Sequence, residues 1–143
     1  MRVLFVCTGN TCRSPMAEAL MPPGTAESAG LAAWPGDPAM PEAVRAVAKL
    51  NGQDLSGHRA RRFAEIDVDQ FDWILTMNAR QRDQILAKRP DLAAKVETIG
   101  ALADEPDLEI IDPYGMSQDF YDQTAVLLQH LIERILSKFD KNF

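Results

Sequence analysis

Apolar and polar residues alternate along the chain in short blocks that predict both strands and helices. An apolar, β-branched run over residues 3–6 predicts a short buried strand, and further strands are predicted over residues 25–28, 72–77 and 95–99. Helices are predicted over residues 15–20, 41–50, 79–88 and 117–139, and in the second and the last of these apolar residues recur on one helix face. Strands that alternate with helices indicate an α/β fold, in which a parallel sheet is covered on both faces.

Local signals refine the ends of these predicted helices. Ser14 precedes Pro15 and is the expected N-cap of the first helix, which Pro22, Pro23 and Gly24 terminate. On the last helix, the apolar face is expected to include Phe120, Leu127, Leu131 and Ile135. Trp73 lies within a strand pattern and is expected to belong to the core.

Length and composition narrow the class of protein. The 143 residues, 46% hydrophobic and 25% charged, suit a single globular domain over residues 1–143. A net charge of −6 argues against a general binder of nucleic acid or of anionic membranes, and the chain has no apolar run long enough to span a membrane. Any anionic substrate must therefore be held by a local positive site.

The cysteine and histidine content points to a reduced, metal-free protein. Cys7 and Cys12 are the only cysteines, and their close spacing does not make a disulfide scaffold, which favours the cytoplasm. His58 and His130 are the only histidines, and no cluster has the spacing of metal ligands. We therefore expect neither a metal nor another cofactor.

The segment that joins the first strand to the first helix carries the clearest chemistry. It reads Cys7-Thr8-Gly9-Asn10-Thr11-Cys12-Arg13-Ser14. Such a loop, at the carboxyl end of a strand, suits a tight turn around one tetrahedral anion, held by backbone N–H groups and a helix N-terminus. Arg13 can donate hydrogen bonds to two phosphate oxygens. The positive environment of this loop also stabilises the Cys7 thiolate as a nucleophile. The alternative is a buried cysteine near an unrelated arginine.

This loop resembles the signature of the low-molecular-weight protein tyrosine phosphatases. Further resemblance extends in order along the chain, over residues 3–19, 28–30, 55–61, 71–77 and 112–115. The resemblance implies a three-layer sandwich, with a four-stranded parallel sheet flanked by helices on both faces. It also implies metal-free hydrolysis of a phosphorylated protein or peptide, carrying phosphotyrosine or phosphoarginine, through a phosphocysteine intermediate.

The same resemblance assigns roles to individual residues. Cys7 resembles the nucleophile, Arg13 the phosphate clamp, and Asp112 the general acid that later activates water. A bound dianion would favour the protonated form of the Asp112 carboxyl, because like charges repel. The remaining expected residues bind phosphate or stabilise the loop: Thr8, Gly9, Asn10, Thr11, Cys12, Ser14, Ser28 and His58.

Two features leave the choice of substrate open. Thr11 is similar to the residue found in bacterial protein arginine phosphatases of this family, and its small polar side chain suits a phosphoguanidinium group. Trp34 and Tyr114 instead offer aromatic walls for a phosphotyrosine ring. Trp34 has a second interpretation, as a loop residue that only covers the core.

Other hypotheses concern function, redox chemistry and the sheet edge. Arsenate reductases of this fold need a relay cysteine beyond Cys7 and Cys12, and a non-catalytic phosphate-binding module needs neither Cys7 nor Asp112. Cys12 is either a reversible disulfide partner of Cys7 or a small buried loop residue. The short segment between Leu20 and Ser28 predicts a truncated sheet edge. The oligomeric state is left open.

Overall fold

The computed structural model describes residues 1–139, and a four-stranded parallel sheet organises them. Its strands are β1 (Val3–Cys7), β2 (Ala26–Gly30), β3 (Trp73–Thr76) and β4 (Val96–Thr98), arranged in the order β2-β1-β3-β4. Every residue of β1 is buried, as expected for a strand covered on both faces. The chain moves to one side of β1 and then to the other, so the strand order reverses at the carboxyl end of β1.

Helices cover both faces of this sheet. They are α1 (Arg13–Leu20), α2 (Pro41–Asn51), α3 (Ala79–Lys88), α4 (Ile99–Leu102) and α5 (Gln118–Phe139), with short 3-10 turns at Phe63–Glu65, Val68–Gln70 and Pro90–Leu92. Helices α1, α2 and α5 pack together on one face, and α3 lies on the other. The predicted three-layer α/β architecture is confirmed. The prediction of a single domain stays a prediction, and its last four residues lie outside the described range.

The core has two layers because side chains alternate along each strand. Val3, Phe5 and Cys7 of β1 face the α1–α2–α5 layer, whereas Leu4 and Val6 face the α3 side. Burying each large apolar side chain contributes about 1.5–3 kcal/mol. Cys7 is thus held by the larger of the two layers.

None of the helices within residues 1–139 is both long enough and apolar enough to cross a membrane.

The start of α1 differs from the sequence prediction. The helix begins at Arg13 with Cys12 in the N-cap position, so the prediction that Ser14 caps it was wrong. Ser14 lies in the first turn, and its hydroxyl is 2.9 Å from Cys7 Sγ instead of capping a backbone N–H. Pro15 is tolerated there because the first backbone N–H groups of a helix have no intrahelical acceptor.

The predicted truncation of the sheet edge was also wrong. Strand β2 has five residues and pairs with β1 from Val3 to Cys7. The preceding connection is short because Pro22, Pro23, Gly24 and Thr25 form a tight turn, in which Thr25 N donates to Pro22 O at 3.2 Å and Gly24 has φ +78°. A compact turn replaces a longer loop without shortening the strand.

Three smaller expectations differ in detail from the structure. The fully buried stripe of α5 consists of Tyr121, Thr124, Ala125, Leu128, Leu131, Ile132, Ile135 and Leu136, whereas Phe120 and Leu127 are half-buried. Trp73 is also half-buried but packs against the core, as Leu127 does, and its ring centroid is 5.8 Å from that of Phe139. Ile99 begins α4 instead of ending β4, because the Thr98 hydroxyl accepts from Ala101 N and caps that helix.

Gly30 lies at the end of β2, against the loop that follows β1. A Cβ atom at Gly30 would be 2.7 Å from Thr8 O, 2.9 Å from Ala33 Cβ and 3.0 Å from Asn10 Cβ. The nearest of these atoms is backbone, which cannot move away as a flexible side chain would. The close packing of β2 against this loop therefore requires glycine.

We predict that Gly30→Ala lowers the free energy of unfolding by about 1–3 kcal/mol, the usual cost of overpacking. Gly57→Ala is the matched control, because no atom lies within 4 Å of a Cβ at that position. Urea unfolding of both variants measures the difference. Equal stability of the two variants would show that the loop moves away at little cost.

Candidate active site

A pocket of about 260 Å³ opens at the carboxyl end of β1, where the strand order reverses. Its lining comes from the loop after β1 and from two other segments: Cys7, Thr8, Gly9, Thr11, Cys12, Arg13, Trp34, Asp37, Asp112 and Tyr114. The structure thus brings most of the predicted site residues to one place. Asn10 and Ser14 belong to the loop without lining the pocket, and Ser28 and His58 contact the loop from neighbouring segments.

The Cys7 sulfur lies at the base of this pocket and has two polar neighbours. Asn10 N donates to Cys7 Sγ at 3.3 Å, and Ser14 Oγ lies 2.9 Å from the same sulfur. Because Ser14 Oγ already accepts from Asn10 Nδ2 at 2.9 Å, the Ser14 hydroxyl hydrogen is available to donate to sulfur. Both contacts stabilise negative charge on Cys7.

Arg13 presents a buried donor at the same pocket. Its Nη1 donates to Ile110 O at 2.9 Å, which fixes the guanidinium plane. Its Nε is the one buried side-chain nitrogen or oxygen within residues 1–139 that has no hydrogen-bond partner. A buried donor without a partner is costly, so this atom indicates that an anion belongs at this place.

The loop backbone offers further donors. Among the described residues, the N–H groups of Thr8, Gly9, Thr11 and Cys12 donate to no protein acceptor. Together with the N-terminus of α1, they form a cradle suited to a tetrahedral anion. The arrangement can therefore hold a phosphoryl group above the Cys7 sulfur.

Asn10 holds the loop in its curved shape. It is fully buried and has φ +56°, a left-handed conformation that asparagine tolerates better than most residues. Its Nδ2 donates to Ser14 Oγ and to Ser28 Oγ, both at 2.9 Å, and its Oδ1 accepts from Arg61 N at 2.9 Å. Every polar atom of the side chain is thus used to fix the loop.

His58 supports the loop from outside. Its Nε2 lies 2.7 Å from Asn10 O, and because a carbonyl only accepts, Nε2 carries the hydrogen. Burial lowers the pKa of His58, although the bond to Asn10 acts in the opposite direction. The ring is therefore favoured in its neutral form and acts as a structural donor.

Three supporting residues were not identified from the sequence. Gln81 Nε2 donates to Thr8 Oγ1 at 3.2 Å, and Gln81 Oε1 accepts from Met77 N at 2.9 Å, which ties the loop to α3. Arg61 donates its backbone N–H to Asn10, as described above. No local sequence signal marks these residues, because each acts through a contact with a distant part of the chain.

Tyr121 is the third of these residues, and it contacts Cys12. Its hydroxyl lies 3.4 Å from Cys12 Sγ, and Thr11 Oγ1 lies 3.8 Å from that sulfur. Burial raises the pKa of the Cys12 thiol, and burial likewise raises the pKa of Tyr121. Cys12 is therefore favoured as a neutral thiol, and the structure holds both cysteines unlinked.

Asp112 and Tyr114 reach the pocket from a turn after α4. Tyr114 N donates to Asp112 Oδ1 at 3.1 Å, and Met116 N donates to Pro113 O at 2.9 Å, with Gly115 at φ +79°. Asp112 Oδ2 lies 3.8 Å from Arg13 Nη2, and the Asp112 side chain is 55% exposed. The carboxylate stands close to the anion cradle and keeps one oxygen accessible.

Within residues 1–139, no group of three His, Cys, Asp or Glu side chains could hold a metal ion. The reactive groups that line the pocket are thiol, guanidinium and carboxyl groups.

Comparison with known proteins agrees with this geometry. A sequence model of the low molecular weight phosphotyrosine protein phosphatase family matches residues 2–143. The probable low molecular weight protein-tyrosine-phosphatase EpsP of Ralstonia nicotianae is 35% identical over 135 residues, 92% of this chain and 90% of that protein. The protein-arginine-phosphatase of Geobacillus stearothermophilus is 35% identical over 142 residues, 96% of this chain and 95% of that protein.

A solved structure shares the fold as well. The low molecular weight protein tyrosine phosphatase from T. tengcongensis superposes with a TM-score of 0.90 at 40% identity, over 97% of this chain and 99% of that chain. The chain belongs to the low molecular weight phosphotyrosine protein phosphatase family. It is an enzyme of the protein phosphatase class.

The lowered pKa of His58 predicts a pH-dependent stability. The neutral ring is favoured in the folded state, so its contribution is fully present above the ordinary histidine pKa, about 6.5. That contribution is lost as the pH falls below this value through the folded pKa. We expect the free energy of unfolding of the native chain to fall more steeply below about pH 6.5 than that of His58→Gln. Urea unfolding at several pH values measures this slope.

The exposed His130 provides the control. His130→Gln should keep the slope of the native chain. An identical slope in His58→Gln and the native chain would contradict the assignment.

Proposed function

We propose that this phosphatase removes the phosphoryl group from phosphotyrosine or phosphoarginine in proteins through a covalent phosphocysteine on Cys7. The observation that carries the proposal is the pairing of the Cys7 sulfur with the unpartnered Arg13 Nε in one anion-binding loop. A binding module would need the cradle but not a sulfur at its base, stabilised by Asn10 N and Ser14 Oγ.

In the first step, the Cys7 thiolate attacks phosphorus and an S–P bond forms. The P–O bond to tyrosine or the P–N bond to arginine breaks, and the Asp112 carboxyl gives its proton to the leaving oxygen or nitrogen. Arg13 and the loop N–H groups stabilise the charge on the transferring oxygens. The distance of 3.8 Å between Asp112 and Arg13 supports this role, because it places the carboxyl beside the phosphoryl site.

In the second step, the Asp112 carboxylate takes a proton from water, whose oxygen attacks phosphorus. The S–P bond breaks, inorganic phosphate forms, and the Cys7 thiolate is regenerated. The Ser14 hydroxyl supports the departing sulfur with the hydrogen bond described above. The network of Asn10, Ser28 and His58 keeps the loop in place through both steps.

An arsenate reductase is the weaker alternative. Such a reaction needs a further cysteine to relay electrons, and the sequence has only Cys7 and Cys12. The burial of Cys12 and its raised pKa favour the thiol over the more nucleophilic thiolate.

The two unlinked cysteines also support our proposal that the enzyme works in the cytoplasm.

The substrate preference depends on Thr11, which lines the pocket beside Gly9. Its carbonyl accepts from Met40 N at 2.9 Å, whereas its hydroxyl has only a 3.8 Å contact with Cys12 Sγ. The hydroxyl is thus free to turn toward a guanidino N–H. Relatives with similar identity carry both names, protein-tyrosine-phosphatase and protein-arginine-phosphatase.

We predict that Cys7→Ser abolishes turnover of p-nitrophenyl phosphate while orthovanadate still binds, because Arg13 and the loop N–H groups remain. Cys12→Ser is the matched control and should retain turnover. Steady-state kinetics in excess chelator, with calorimetric titration of vanadate, measure both properties. Near-normal turnover by Cys7→Ser, or a strict need for a divalent ion, would contradict the mechanism.

We predict that Asp112→Asn slows hydrolysis in proportion to how much the leaving group needs a proton. General acid–base catalysis is typically worth about 10²–10⁴-fold, so phenyl phosphate should lose most and p-nitrophenyl phosphate least. Asp107→Asn, an exposed substitution in the preceding loop, controls for charge. An equal loss for both esters would instead assign Asp112 a role in positioning.

We predict that Thr11→Ile lowers the ratio of kcat/KM for phosphoarginine over phosphotyrosine peptides by about tenfold, about 1.4 kcal/mol. The larger side chain crowds the atom that bridges phosphorus to the guanidino group, and a methylene is worth about 1–3 kcal/mol in discrimination. Thr11→Val removes the hydroxyl at constant size and separates hydrogen bonding from crowding. An unchanged ratio in both variants would make Thr11 a packing residue.

A further inference from the structure

A second turn, separate from the one that carries Asp112, also presents a carboxylate at the pocket. Asp37 N donates to Trp34 O at 3.2 Å. Pro35 is the second residue of this turn, and Gly36, at φ +91°, is the third. Proline second and glycine at positive φ third are the signature of a type II turn. Trp34 and Asp37 are therefore the two ends of one turn, and both line the pocket.

The backbone of this turn is fixed independently of the Asp37 side chain. Ala60 N donates to Asp37 O at 2.8 Å, and Gly36 N donates to Ala60 O at 2.9 Å. Pro38 and Arg59 form an isolated antiparallel bridge next to these bonds. Main-chain contacts thus fix the backbone of Asp37 beside the pocket, and replacing the carboxylate leaves those contacts intact.

The Asp37 carboxylate has no ion pair or hydrogen bond with any side chain in the described part of the chain. The arginines that follow in the neighbouring segment are engaged elsewhere. Arg59 donates to Ser56 O and His58 O, and Arg61 contacts Ser28 O and Glu27. Asp37 therefore lies at a catalytic pocket with its charge uncompensated by the protein.

Each of the two turns thus contributes one aromatic side chain and one carboxyl group to the pocket. One turn contributes Trp34 and Asp37, and the other contributes Tyr114 and Asp112. Aromatic faces attract a planar cation, and a carboxylate pairs with it. In the proposed reaction Asp112 still holds its proton when the substrate binds, so it does not balance the positive charge of a bound guanidinium. Asp37 remains as the carboxylate that can.

We propose that Asp37 is a specificity-determining residue that pairs with the positively charged guanidinium of a phosphoarginine side chain. This inference rests on the proposed function and names one substrate class for the same pocket. Arg13, whose buried Nε has no protein partner, holds the phosphoryl end, and Asp37 holds the guanidinium end. A neutral phenol ring leaves Asp37 without a partner, so phosphotyrosine gains nothing from it.

The test compares kcat/KM of the native chain, Asp37→Asn and Glu133→Gln on two peptides. The peptides differ only in phosphoarginine or phosphotyrosine, and neutral residues flank the phosphorylated position. Asparagine keeps the size of the side chain, and Glu133→Gln removes an exposed charge from the C-terminal half of α5 as the control. Asp37→Asn should lower kcat/KM for phosphoarginine about fivefold, as expected for a partly exposed ion pair.

For phosphotyrosine, Asp37→Asn should change kcat/KM by less than about twofold, and Glu133→Gln should leave both peptides unchanged. Added salt should reduce the effect on phosphoarginine, because salt screens exposed charges. An equal loss on both peptides, or no loss on either, would overturn the assignment.

The outcome also separates this inference from the proposed function. If the native chain hydrolyses phosphotyrosine but not phosphoarginine, the role of Asp37 fails and the Cys7 mechanism stands. If it hydrolyses neither peptide nor p-nitrophenyl phosphate, the proposed function itself is contradicted.

Discussion

The hydrogen bonds of one buried asparagine set the shape on which the site depends. Asn10 adopts φ +56° with no solvent exposure, and a left-handed residue costs roughly 1–2 kcal/mol. Four contacts offset that cost: Ser14, Ser28, the Arg61 backbone and His58. With the backbone curved in this way, Asn10 N reaches the Cys7 sulfur and the neighbouring N–H groups stay available to an anion. A chain with a net charge of −6 thereby acquires a local site for a phosphate dianion.

The fold delivers the other groups to this loop by tertiary contacts. The strand order reverses at β1, so the loop lies at the carboxyl ends of the strands, where segments from both sides of β1 meet. Gly30 lets β2 approach from one side, and Gln81 ties Thr8 to α3 on the other. The buried Arg13 donates from Nη1 to Ile110 O, and the residues that follow Ile110 bring Asp112 and Tyr114 to the pocket. Binding, proton transfer and substrate choice thus come from separate segments that meet at one sulfur.

Much of this arrangement was predictable from the sequence, because its signals are local. The strand–loop–helix pattern and the spacing of Cys7 and Arg13 predicted the anion cradle, and local sequence patterns predicted four strands. The N-cap prediction failed within the loop itself: Ser14 has the residue type of an N-cap, but Asn10 and Cys7 occupy its hydroxyl. What the sequence did not reveal depends on contacts between distant segments. Asp37 carried no motif, since its place at the pocket follows from the Trp34 turn and from Ala60. Gly30 and Tyr121 likewise act only through packing that a single sequence does not display.

The proposed mechanism requires a covalent bond between phosphorus and the Cys7 sulfur. The most direct measurement is rapid acid quench during turnover of p-nitrophenyl phosphate, followed by proteolysis and mass spectrometry of the peptide that contains Cys7 and Cys12. This mechanism predicts a phosphoryl group on Cys7, formed together with an initial burst of nitrophenol and absent from Cys12. Release of nitrophenol with no phosphorylated cysteine at any quench time would contradict it, and would mean that water attacks the substrate directly.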